Sequence, residues 1–121
     1  MGQVLRLKEM LQFAAVFSWV AIAAISLAPS QDRTNAGASA YVEHFFAYCM
    51  AAGVTRAALP HVQSRWQIIV FALVAALFET CQIWISGRSA GIDNWLASSV
   101  GAALGVITVR TVLHENLLRF L

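Results

Sequence analysis

The chain has 121 residues, 60% of them hydrophobic and only 12% charged, with a formal net charge of +2. A single domain of this length does not hide so much apolar surface from water, which argues against a small soluble protein. The small, scattered positive balance argues against a nucleic-acid patch, so the few charges matter through where they fall.

Residues 1–8 form a short amphipathic lead carrying Arg6 and Lys8. An almost uncharged run follows to Ala28. At about 20 residues and 1.5 Å per residue it matches a hydrocarbon core of roughly 30 Å. A basic start before an apolar run also describes a signal peptide. This run exceeds the usual apolar core of such a peptide, and Pro29 stands where cleavage would fall, so the run reads as a retained first helix. Pro29 ends it, because the residue before a proline resists the α region.

A polar loop leads to a second segment, Tyr41 to about Leu59, with Glu43 and His44 near its start and Arg56 near its end. It reads as a helix whose two ends reach the membrane interfaces, with Arg56 snorkelling outward. Pro60 stops it. The third segment, Trp66 to about Ile85, holds Glu79 and Gln82 in its second half. A glycine-containing loop with Arg88 and Asp93 separates it from the fourth, Asn94 to about Leu113. That last segment is rich in small residues, and Gly101 and Gly105 fall four apart on one face, where they let another helix approach closely; internal packing is favoured over a dimer face. The remaining tail lies in the interface or extends the fourth helix.

The expected fold is therefore an all-α membrane protein, one domain over 1–121, with four transmembrane helices at about 9–28, 41–59, 66–85 and 94–113 in an antiparallel bundle. With four spans, Arg6, Lys8, Arg56, Arg65, Arg110 and Arg119 gather on one side and only Arg33 and Arg88 on the other. The positive-inside tendency then puts both termini in the cytoplasm, N-in and C-in.

This topology brings polar residues from distant parts of the chain into the outer half of the bilayer: Glu43, His44 and Tyr48 from the second helix, Glu79 and Gln82 from the third, Arg88 from the loop, and Asp93, Asn94 and Ser98 from the start of the fourth. His44 and Tyr48 share a face by their i,i+4 spacing, and Glu79 and Gln82 by i,i+3. An ionised Glu79 alone at that depth is costly, so neutralisation or a partner such as Arg88 or His44 is expected. One reading is that these groups only satisfy one another and pin the helices together. The other is a binding pocket. Catalysis is the less favoured third: Glu79 suits a general base and His44 an acid or base, but no nucleophile pattern accompanies them and no catalytic residue is assigned. Glu43, His44, Glu79 and Asp93 are suitable metal-ligand types without a recognised spacing, so neither a metal nor a cofactor is expected. Cys49 and Cys81 sit in apolar segments as buried packing residues, not as a redox or metal pair.

These residues resemble the VanZ-like family, small membrane proteins named for a teicoplanin-resistance protein. The family pattern H-F-x-x-Y with an acidic lead is matched by Glu43, His44, Phe45 and Tyr48. Its E-x-x-Q followed by an arginine is matched by Glu79, Gln82 and Arg88, and its G-x-x-x-G by Gly101 and Gly105. The family's acidic position and the asparagine four residues later are Asn94 and Ser98 here, with Asp93 one residue before. The resemblance covers roughly residues 41–105. It implies a membrane protein linked to the envelope and, in the founding member, to glycopeptide resistance. Three functions follow as expectations: a binding protein for an envelope or lipid-linked amphiphile, a structural or assembly subunit of a larger membrane complex, or a membrane-embedded hydrolase or transferase. The expected partners are bilayer lipid and a lipid-linked envelope molecule, with a larger membrane protein complex as the alternative and no nucleic acid.

Overall fold

The computed structural model describes residues 2–27, 37–82, 84 and 92–120, with side-chain surroundings from residue 42 onward in the second helix and up to residue 114 in the fourth. Four α-helices make up the described chain: α1 (Gly2–Leu27), α2 (Gly37–Ala58), α3 (Ser64–Gln82) and α4 (Ile92–Phe120). The lead before the first apolar run is thus helical, and the tail continues α4. α1, α3 and α4 are each long and apolar enough to cross a bilayer; α2, with Glu43, His44 and Arg56, is not among them.

The helices alternate in direction. Along α1 and α2, the Trp19 indole donates to the Thr55 hydroxyl at 3.1 Å, while Ser26 hydrogen-bonds Tyr48. Seven residues forward on α1 are seven back on α2, so the pair is antiparallel. α2 and α4 run parallel: a Cβ on Gly101 would fall on the Phe45 carbonyl, one on Gly105 would fall on the Cys49 carbonyl, and Gly53 faces Val109. Each step of four on one helix matches a step of four on the other. The glycines therefore pack inside the bundle, where backbone meets backbone as the missing side chains allow.

α2 packs most extensively against α4; among the described residues α1 and α4 make no contact, and the ring order is α1–α2–α4–α3. α2 turns His44, Tyr48, Ala51, Ala52, Thr55 and Ala58 inward, the stripe expected of a 3.6-residue period. Its outward residues Val42, Phe46 and Met50 are apolar and exposed. The core joins Ile22, Tyr48, Ala51, Ala52, Phe71, Ala75, Ala102 and Val106. The outer surfaces stay greasy, with Phe13 and Phe17 on α1, Leu73 and Leu77 on α3, and Val100 and Leu104 on α4 all exposed. Such faces suit lipid and not water. Cys49 and Cys81 are free thiols, half-buried where full burial was expected.

Candidate functional site

The polar residues gather where α1 ends. An α-helix leaves its last four carbonyls without an intrahelical donor. The Ser26 carbonyl is among those last four in α1, and Gln82 Nε2 donates to it at 2.8 Å. Ser26 is itself buried, and its side chain hydrogen-bonds Tyr48. Tyr48 lies within electrostatic reach of the Glu79 carboxylate. Its ring stacks with His44 at 6.4 Å between centroids and meets Phe71 edge-on at 6.3 Å. Ser26 from α1, His44 and Tyr48 from α2, and Glu79 and Gln82 from α3 thus form one junction.

His44, Tyr48, Gln82 and Ser98 are buried, and Glu79 is half-buried. The α2–α4 register, with Gly101 over Phe45, sets Ser98 level with the first described turn of α2. Asn94, a turn before it, has a buried Oδ1 with no hydrogen-bond partner among the described residues. Trp95 beside it donates its indole N–H to the Ala72 carbonyl at 3.0 Å, which ties α4 to α3.

The cluster is narrower than the sequence suggests. Glu43 and Asp93 are exposed. One helical step from His44 turns Glu43 toward the outer stripe of Val42 and Phe46. Asp93 sits in the first turn of α4, where a carboxylate complements the helix dipole. Arg88 lies outside the described residues. Ser26 is the member that sequence reasoning missed. Its signal was the coincidence of a hydroxyl residue with the helix end that Pro29 imposes.

Chemically the junction offers hydroxyl, amide, imidazole and carboxylate groups within an otherwise apolar bundle. No group of three or more His, Cys, Asp or Glu side chains converges among the described residues in a way that would hold a metal. No family model, curated protein or solved structure matches the chain. The VanZ-like resemblance therefore rests on the quoted residues alone.

Proposed function

We propose that this chain is an integral protein of the bacterial inner membrane, VanZ-like in arrangement. In this reading four helices cross the bilayer with both termini in the cytoplasm, and the protein binds the polar head of an envelope or lipid-linked amphiphile at the Tyr48–Glu79 junction. The carrying observation is a half-buried carboxylate, Glu79, within electrostatic reach of the buried Tyr48 where three helices meet beneath apolar outer faces. Ionisable groups at such depth in a membrane protein are by default candidates for function. The partnerless Asn94 Oδ1 at the start of α4 adds an acceptor for a ligand's donor. Placing the arginine-rich end in the cytoplasm directs the junction toward the outer half of the bilayer.

The alternative, a structural or assembly subunit of a larger membrane complex, draws on the short chain, the minimal loops and the small residues of α4; of the last, Gly101 and Gly105 are engaged by α2 within the bundle. Native mass spectrometry of the protein released from its own membrane tests the proposal. The wild type is expected to carry an amphiphile adduct that Glu79→Gln and Asn94→Ala lose while both keep their helical circular dichroism. Equal adducts in all three proteins sink the binding reading, and a stoichiometric partner chain in place of an adduct favours the assembly reading.

A further inference from the structure

At the opposite end of α2 the bundle carries a second polar feature that owes nothing to the Tyr48–Glu79 junction. A cavity of about 390 Å³ is lined by Arg56, His61, Val62, Ser64, Arg65 and Arg110, among others, and none of its lining residues among those described is acidic. The arginines come from three places: the last turn of α2, the first turn of α3, and α4. Arg56 does not snorkel away from the bundle, as its sequence position suggested. One of its terminal nitrogens donates to the Val62 carbonyl, which turns the guanidinium into the α2–α3 turn. Its Nε is buried there with no partner. Arg65 is held by a 2.9 Å bond from its Nε to Gln63 Oε1, and its guanidinium lies 5.6 Å from the centre of the Trp66 ring. The Gln63 carbonyl accepts from the N–H groups of Trp66 and Gln67 and opens α3, so the positive end of that helix adds to the same field.

Guanidinium groups recognise phosphate through paired, charge-assisted hydrogen bonds. Three of them around one cavity, with no carboxylate in its wall, form an anion site. A second cavity, about 220 Å³, indicates which anion. It is lined by Trp19, Leu59, Val62, Trp66, Val70 and Phe71, with Thr55 and Gln67, and its surface is almost wholly apolar. Val62 borders both cavities, and Trp66 stands in the wall of the apolar one beneath Arg65. A basic pocket that shares a wall with an apolar groove lined by a tryptophan has the polarity profile of a phospholipid.

We infer that the Arg56–Arg65–Arg110 cavity binds the phosphate headgroup of an anionic phospholipid and that the Trp19–Val70 groove holds part of an acyl chain. This inference rests on the bilayer placement proposed above and is independent of the Tyr48–Glu79 cluster. Free phosphate would use the arginines and leave the groove empty, so the groove favours the lipid.

The test measures thermal unfolding of the full chain in a mild neutral detergent. Phosphatidylglycerol, phosphatidylcholine and inorganic phosphate are each titrated in. Phosphatidylglycerol is expected to raise the unfolding temperature saturably, and the other two to leave it unchanged. Arg65→Gln with Arg110→Gln, both at exposed positions, should weaken the phosphatidylglycerol response about tenfold or more, the loss expected for charge-assisted hydrogen bonds. Arg6→Gln with Lys8→Gln removes the same charge from exposed positions outside the pocket and should not weaken it. Val70→Trp narrows the groove and should weaken the lipid response with the arginines intact. Equal responses to inorganic phosphate and phosphatidylglycerol would make this an ion site and overturn the lipid assignment. Equal responses to the two lipids, or an unaltered response in the arginine double variant, overturn the inference as well. Glu79→Gln should retain the phosphatidylglycerol response, so failure here and failure at the junction are separable.

Discussion

Tyr48 shows how one side chain links three helices: its ring contacts His44 and Phe71, and its hydroxyl bonds Ser26. Tyr48→Phe keeps the ring and deletes only the hydroxyl. The expected cost is about 0.5–1.5 kcal/mol, the usual range for one buried hydrogen bond in water or membrane. Ser26→Ala should cost a similar amount. Because the two hydroxyls bond each other, the double variant should cost less than the sum of the singles, the second deletion having nothing left to break. Strict additivity in a reversible unfolding assay in bicelles would show that the two groups act separately. Gln82 allows a sharper distinction by sign. As the donor to the Ser26 carbonyl it has a capping role, so Gln82→Leu should cost about 1 kcal/mol. Gln82→Glu should depend on pH: protonated, its O–H can replace the amide donor, whereas ionised it has no hydrogen to donate and faces the carbonyl oxygen as a second acceptor. A Gln82→Glu protein no less stable at alkaline pH than at acidic pH, relative to Gln82→Leu, would contradict the capping role.

At the scale of elements, the α2–α4 seam depends on three glycines that differ in what lies opposite. Gly101 and Gly105 face the backbone carbonyls of Phe45 and Cys49, whereas the nearest neighbour of a Cβ on Gly53 is the Val109 side chain, 3.1 Å away. Backbone of a packed helix cannot step aside without moving the helix, but a methyl group shifts more easily. Gly101→Ala and Gly105→Ala are each expected to cost about 1–3 kcal/mol or more by overpacking. Gly53→Ala should cost less and be relieved by Val109→Ala. Equal penalties at the three positions, measured by unfolding in the same detergent, would argue against this register. The seam was legible from sequence because two glycines four apart fall on one face of any helix, and His44 and Tyr48 were paired by the same rule. Local periodicity does not reveal which partner each face meets. A serine inside an apolar run looks the same whether it faces lipid or, like Ser26, a tyrosine on the next helix. Arg56 near a helix end reads as a snorkelling cation until the turn after Pro60 is seen to fold Val62 back against it. Glu43 and Asp93 have the right chemistry for the cluster, but their angular positions leave them exposed.

For the whole molecule, the open question of topology comes down to α2, the helix that falls outside the three apolar enough to cross a bilayer on composition. Composition measures a helix as though all its faces met lipid, and α2 meets three other helices. Its His44, Thr55 and Tyr48 are buried, and its outward stripe, Val42, Phe46 and Met50, is apolar. A central helix can therefore carry polar residues and still present hydrocarbon to the bilayer. The parallel α2–α4 register makes this a quantitative requirement: if α4 crosses, α2 lies along it over at least Phe45–Gly53 and shares its depth. Trp66, in the first turn of α3, and Trp84, two residues past its end, are both exposed; from Trp66 to Gln82 the helix rises sixteen residues at 1.5 Å each, about 24 Å, which sets the two tryptophans toward opposite interfaces. Four crossings put the two termini on the same face; three put them on opposite faces. In a background with Cys49 and Cys81 replaced by alanine, a single cysteine at His61, in the α2–α3 turn, should react with an impermeant maleimide only from the cytoplasmic side. One at Trp84 should react only from the outside. Tags at both termini should be protected from external protease in intact cells. Labelling of the His61 cysteine from the outside, or termini on opposite faces, would mean that α2 stays within one interface. The arginine cavity and the Tyr48–Glu79 junction would then no longer occupy opposite halves of the bilayer.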